Sequence, residues 1–157
     1  MAAWSAVLET DGQYHNFLGR VFDALEDRQR NYNFLLAGIE TYPTAPGFQF
    51  VNQAPVWISG EELTRMIRQE DFQWVWGALL AFPPSCSREE VLGSVRALYV
   101  PEAPDQDSWH IRNRFLETGA EFMIFAEDST FTEFLTWDRE LLDVFCRHEP
   151  QAKVTKE

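Results

Sequence analysis

Cysteine and histidine are the side chains that most often build metal sites and nucleophilic centres, and this chain has few of either. Its cysteines are Cys86 and Cys146, and its histidines are His15, His110 and His148. No histidine has a cysteine or histidine partner at a spacing typical of zinc ligands. Cys146 and His148 are two positions apart, and on a helix such residues point to different faces. The sequence therefore predicts no metal site.

A nucleophilic centre and a phosphate site also lack support. Cys86 lies just before a predicted helix start, where the pKa of a thiol can fall, but no histidine base is close in sequence. No Gly-x-Ser-x-Gly elbow is present, and Gly77, Gly93 and Gly119 are isolated rather than grouped into a phosphate loop. We expect a structural Cys86 and no cofactor.

Glu127 and Asp128 are the carboxylates with the best case for acid–base chemistry, because they are adjacent between two apolar runs. The same place in the sequence suits a β-hairpin turn. Asp and Ser side chains form hydrogen bonds to their own backbone in such turns. The turn is the favoured interpretation, and an acid/base pair is the alternative.

The overall charge restricts the partners that the chain can bind. The formal net charge is −12 and the isoelectric point is near 4.6. Nucleic acids and anionic membrane surfaces attract basic proteins, so both are disfavoured. A basic protein partner fits this charge, as does a simple role in keeping the chain in solution.

Two acidic clusters are candidates for binding such a partner. One lies in a proline-containing segment and is followed by an aromatic residue, and the other lies on the first predicted helix. The first consists of Glu102, Asp105, Asp107 and Trp109, and the second of Asp23, Glu26 and Asp27. Carboxylates around an exposed aromatic side chain are a common way to bind a basic protein. The sequence does not choose between the clusters.

The run at 72–83, FQWVWGALLAFP, predicts a strand that is covered on both faces, with Trp74 or Trp76 in the core. Other strands are predicted at 4–10, 32–42, 48–51, 55–59 and 98–100. The runs at 121–126 and 131–137 predict a hairpin.

Helices are predicted between these strands, each with a local start signal. Asp11 is the expected N-cap of the first, which ends near Arg28. Ser59 and Ser87 each precede a glutamate by three residues, the spacing of a capping box. Asp138 is the expected N-cap of the last helix, and 108–119 is expected to be partly helical.

These elements predict an α+β fold: a single domain with a mixed, largely antiparallel sheet and three to four helices packed on it. Residues 1–150 are assigned to the domain and 151–157 to a flexible C-terminal tail. Two distant cysteines and an N-terminus without a signal-peptide pattern predict a reduced, cytoplasmic protein.

The C-terminal half resembles small acidic bacterial immunity-type proteins, which neutralise a cognate polymorphic toxin, and neighbouring uncharacterised bacterial families. The resemblance covers about half of the chain and lies in FQWVWGALLAFP, in EFMIFAEDSTFTEFLTWD at 121–138, and in the closing helix. It implies a binding protein with no catalytic residues, whose partner is a toxin.

Two functions from different classes follow. The first is a non-catalytic protein-binding domain that blocks a basic partner, such as a toxin. The alternative is a small hydrolase-like enzyme that uses Glu127 and Asp128. A structural subunit of a larger assembly is a third class, and the sequence leaves the oligomeric state open.

Overall fold

The computed structural model describes residues 2–9, 16–48, 56–96, 111–128 and 130–156. Seven strands lie within them: β1 (Trp4–Glu9), β2 (Asn33–Thr41), β3 (Val56–Ser59), β4 (Trp74–Phe82), β5 (Phe122–Glu127), β6 (Phe131–Thr136) and β7 (Lys153–Lys156). The α-helices are α1 (Leu18–Ala24), α2 (Gly60–Gln69), α3 (Arg88–Arg96), α4 (Phe115–Thr118) and α5 (Arg139–His148). A 3₁₀ helix spans Arg28–Asn31.

The seven strands form one sheet in the order β3-β2-β4-β5-β6-β1-β7, and every neighbouring pair in it is antiparallel. The predicted α+β class is confirmed. The described residues hold more helical segments than the three to four expected, because α4 and the 3₁₀ helix are single short turns. No helix in the described ranges is both long enough and apolar enough to cross a membrane.

Both faces of the sheet carry a hydrophobic core. On the first face, α1, α2 and α5 pack against side chains such as Phe34, Phe122 and Phe134. On the second face, α3 and α4 pack against side chains such as Leu80 and Phe125. β4 lies inside the sheet, which confirms the strand predicted to be covered on both faces.

Two irregularities between β2 and β4 decide which way the tryptophans of β4 face. Gly38 has a φ of 60°, and an extra β2 residue is inserted between the pairs Ala37↔Ala78 and Glu40↔Trp76. Val75 is an extra residue on β4 before the next pair. These bulges reverse the alternation of side chains, so that Trp74 is fully buried in the first core while Trp76 stays half-buried on the second face.

The helix starts follow the predicted caps in part. The hydroxyls of Ser59 and Ser87 each accept a hydrogen bond of 3.1 Å from the backbone N–H three residues later. Asp138 accepts from the backbone N–H groups of Glu140 and Leu141. The Glu62 carboxylate, however, pairs with Arg65 instead of returning to the Ser59 N–H as a capping box would require.

The first helix starts later than predicted. Phe17 is the N-cap of α1, so the expectation that Asp11 caps this helix is wrong. Phe17 also forms a β-bridge with Gln73, the residue before β4. Asp71 supplies the missing cap from another part of the chain, because its carboxylate accepts from the Gly19 N–H at 3.2 Å.

Residues 153–156, which the sequence assigned to a flexible tail, form the edge strand β7 beside β1. Val154 and Thr155 are β-branched and suit a strand, while Lys153 and Lys156 give the outer edge the charge that edge strands commonly carry. Of the strand predicted at 48–51 only Phe48 is described, and it lies outside the strands. The strand predicted at 98–100 is outside the described residues.

Candidate functional site

The first predicted acidic cluster, Glu102, Asp105, Asp107 and Trp109, lies outside the described residues. The second cluster is described in full. It lies where α1 turns into the 3₁₀ helix, against the outer side of α2.

Arginine side chains neutralise most of this second cluster. Arg68 Nη2 lies 2.8 Å from Asp23 Oδ1 and 2.8 Å from Asp27 Oδ1, so one guanidinium binds both carboxylates. Arg30 lies 3.7 Å from the second oxygen of Asp27. Burial raises the pKa of Asp27, but hydrogen bonds from Gln29 and Arg68 outweigh it and leave the pKa below its ordinary value.

Glu26 is paired as well. Its carboxylate lies 3.0 Å from His148 Nε2 at the end of α5, and this hydrogen bond lowers the pKa of Glu26. Glu26 and Asp27 both have positive φ, 54° and 60°, in the tight turn after α1. The cluster is therefore a network of ion pairs and hydrogen bonds that joins α1, α2 and α5.

The hairpin between β5 and β6 has the opposite electrostatic character. Asp128 has a φ of 46°, and Thr130 donates hydrogen bonds from its backbone N–H (2.8 Å) and its hydroxyl (2.9 Å) to the Glu127 carbonyl. The turn expected here is confirmed. Burial raises the pKa of Glu127, and the negative charges of Asp128 and Glu133 add to this shift.

The register of the sheet places Glu127 in a row of alternating acidic and aromatic side chains. Glu40 pairs with Trp76, and Gly77 pairs with Ala126, so continuing the register by one residue sets Glu127 opposite Trp76. Glu127 pairs with Phe131, and Phe131 pairs with Glu9. We call these five residues, Glu40, Trp76, Glu127, Phe131 and Glu9, the acid–aromatic row.

The row crosses β2, β4, β5, β6 and β1 on the second face of the sheet. Glu40 and Glu9 are exposed, and Trp76, Glu127 and Phe131 are half-buried. The rings of Trp76 and Phe131 pack against the second core and are only partly buried by it. The two ends of the row are thus exposed, and its three middle members are partly accessible.

The ends of the row differ in how far they are neutralised. Lys153 Nζ lies 2.9 Å from Glu9, whereas the partner of Glu40 is the neutral hydroxyl of Tyr42, which donates a hydrogen bond of 2.6 Å. Among the described residues, no basic side chain pairs with Glu40 or Glu127. The negative charge of the row is therefore concentrated on the two carboxylates on either side of Trp76.

A buried ion pair between Arg112 and Glu133 lies next to the row, because Glu133 follows Phe131 by two residues on β6. Arg112 binds both oxygens of Glu133 at 2.8 Å and 2.6 Å, and the Ser5 hydroxyl donates a hydrogen bond to the same carboxylate. Glu133 is only 4% exposed. The pair ties the segment before α4 to β6 and β1.

Two depressions found among the described residues lie away from the hairpin tip. One depression of about 50 Å³ is lined by Arg112 and Leu116 among others, and one of about 270 Å³ by Cys86 and Glu90 among others; neither includes Glu127 or Asp128. The described ranges contain no group of three side chains that could hold a metal ion. Cys86 is half-buried beside the second core.

The sequence predicted only one member of the row as a site residue. Glu127 was assigned to the alternative acid/base pair, whereas Glu40, Trp76, Phe131 and Glu9 were not assigned any binding role. Each is an ordinary strand residue, and only pairing between distant strands brings them together. The alternation of acid and aromatic residues is visible across strands and not along any one of them.

No protein-family model, no curated protein and no solved structure matches this chain.

Proposed function

We propose that this chain is a non-catalytic protein-binding domain that recognises a basic partner, most concretely as an immunity protein that neutralises a bacterial toxin. The observation that carries the proposal is the row itself: Glu40 and Glu127, which pair with no basic side chain among the described residues, lie beside the half-buried rings of Trp76 and Phe131. Partially exposed aromatic residues and charge complementarity are what protein interfaces use for affinity and for fast association.

The chemistry of the row favours binding over catalysis. A general acid needs a reacting group within hydrogen-bond distance and a site that shields the reaction from water. Glu127 and Asp128 instead lie at the tip of a hairpin, and neither described depression includes them. A cationic side chain placed here would gain charge interactions that no described basic side chain makes with Glu127.

Capture followed by kinetics tests this proposal. The chain is immobilised, retained proteins from the native host are identified by mass spectrometry, and surface-plasmon kinetics are recorded for each at low and high salt. For a true partner we expect the association rate to fall with salt by more than the dissociation rate rises, because salt screens charges over about 8–10 Å.

Charge reversal identifies the acidic residues that bind. Lysine replaces Glu40 and Glu127 in one variant, Glu102, Asp105 and Asp107 in a second, and Asp23, Glu26 and Asp27 in a third. We expect the first to slow association without unfolding the chain, and the third to reduce stability because it breaks ion pairs. A salt-independent association rate that no reversal alters would refute electrostatic capture.

The second candidate is a hydrolase-like enzyme with Glu127 and Asp128 as its acid and base. The raised pKa of Glu127 favours it, because a general acid must hold its proton near its working pH. Assays on a panel of ester, amide, phosphoester and glycoside substrates test it. Turnover that Glu127→Gln abolishes, while Glu89→Gln on α3 leaves it unchanged, would support this enzyme.

A further inference from the structure

The spacing of the row limits the kind of partner segment that can bind it. Glu40 and Glu127 lie on β2 and β5, with β4 between them. Adjacent strands are about 4.8 Å apart, so the two carboxylate-bearing positions are separated by roughly 9.6 Å. Trp76 lies midway between them, opposite Glu40 in the register.

The backbone spacing of a partner helix matches this separation more closely than that of a partner strand. In an α-helix, positions i and i+7 lie on one face about 10.5 Å apart, with i+4 between them. In a strand, side chains on one face are separated by multiples of about 6.7 Å, so neither i+2 nor i+4 reaches a separation near 10 Å. Two cations on one helix face can therefore meet both carboxylates together.

We propose that the acid–aromatic row binds a basic helix of the partner, lying across the strands, with cationic side chains at i and i+7 on Glu40 and Glu127 and an apolar side chain at i+4 on Trp76. The proposal rests on the proposed function and specifies the partner element that this surface recognises.

Several contacts prepare the row for such a helix. The Tyr42 hydroxyl donates to Glu40 and so holds that carboxylate in place. Trp76 contributes a half-buried indole, and such rings suit an aliphatic stem or the plane of a guanidinium. The negative charge of Asp128 adds to the attraction for a cation at Glu127. Glu9 contributes less, because Lys153 already neutralises it.

Two synthetic peptides test the proposal against the full chain. The probe is an alanine- and glutamine-based helix with arginine at i and i+7 and leucine at i+4. The control peptide has the same composition, but its second arginine is at i+5, on the opposite side of the helix. Binding is measured at low salt by NMR titration of the ¹⁵N-labelled chain, with the Trp76 indole cross-peak assigned from Trp76→Phe.

Matched variants of the chain remove equal charge in two places. Glu40→Gln with Glu127→Gln removes both carboxylates of the row. Glu89→Gln with Asp143→Asn removes two exposed carboxylates elsewhere, on α3 and α5. We expect the probe to shift the Trp76 cross-peak and to bind about fivefold tighter than the control peptide. The row variant should lose about three- to tenfold in affinity for the probe, and the matched variant less than about twofold.

The peptide-binding measurements can refute the basic helix without refuting the proposed binding function. Equal binding of the two peptides, or probe binding that the row variant does not weaken, refutes the i and i+7 helix. Capture of a basic partner with a salt-dependent association rate would still support the binding function in that case. Probe discrimination together with a salt-independent association rate for every captured protein would support the helix site and refute electrostatic capture.

Discussion

The turn after α1 and the hairpin between β5 and β6 are both rich in carboxylates, yet their electrostatics are opposite. Asp23 and Asp27 share the guanidinium of Arg68, and Glu26 pairs with His148. At the hairpin, Glu127 has Asp128 and Glu133 as charged neighbours, and its pKa is raised. In the first region the pKa values of Glu26 and Asp27 are lowered.

The comparison shows that acidic composition alone does not identify a binding surface. Paired carboxylates have already exchanged water for a protein cation, so a basic partner must break an existing interaction to reach them. Carboxylates in an uncompensated field cost the fold some stability and gain interaction energy when a cation arrives. The two regions therefore differ in the groups around their carboxylates: hydrogen bonds from partners lower the pKa values of Glu26 and Asp27, whereas burial and negative neighbours raise that of Glu127.

The largest expected effect distinguishes the two tryptophans that β4 presents to opposite cores. Trp74→Ala should reduce the free energy of unfolding by roughly 3–5 kcal/mol, because it leaves a large cavity under α1 and α2. Trp76→Ala should cost less than about half of that, since the ring is half-buried in the acid–aromatic row. Urea denaturation of both variants measures the difference. Equal losses would show that the row is part of the core.

The next largest effect concerns the buried ion pair between Arg112 and Glu133. Glu133→Ala leaves the Arg112 guanidinium without its partner and should reduce the free energy of unfolding by about 2–4 kcal/mol. Removing this charge should also lower the pKa of Glu127, which NMR titration of the side chain would show. Glu133→Gln is the control that keeps the shape. An unchanged Glu127 pKa in both variants would contradict the shared negative field.

The smallest effects have opposite signs and test the comparison most directly. Asp27→Asn should reduce the free energy of unfolding near neutral pH, and Glu127→Gln should increase it, each by less than about 1 kcal/mol because both groups are partly exposed. Urea denaturation at neutral pH, with Asp143→Asn as an exposed control, measures both. If the free energy of unfolding changes with the same sign in both variants, the turn after α1 and the hairpin do not differ as described.

The pH dependence of stability should separate the regions too. The pKa of Asp27 is lowered on folding, so its contribution is present above the ordinary value of 3.8 and is lost as pH falls through the folded pKa. The pKa of Glu127 is raised, so its contribution is present below the ordinary value of 4.5 and is lost as pH rises through the folded pKa. Subtracting each variant's profile from that of the parent chain, between about pH 3 and pH 7, should reveal these two slopes.

Much of the fold follows from local signals in the sequence. The apolar run of β4, the two runs of the hairpin and the Asp138 cap each depend on neighbouring residues alone, and all were predicted correctly. The start of α1 was not predicted correctly. Its N-terminus is fixed by a bridge to Gln73 and by the carboxylate of Asp71, and both residues are far away in sequence. The bulges that turn Trp74 and Trp76 to opposite faces also depend on the pairing of β2 with β4.

By itself, the sequence determined the antiparallel α+β class and the surplus of negative charge, because periodicity, caps and composition are properties of short segments or of the whole chain. Only the tertiary structure decided which carboxylates are neutralised and which remain available. Arg68 reaches Asp27 across 41 residues, and His148 reaches Glu26 across 122. The acid–aromatic row needs the register of five strands, and lateral pairing depends on the packed sheet rather than on the pattern within any one strand.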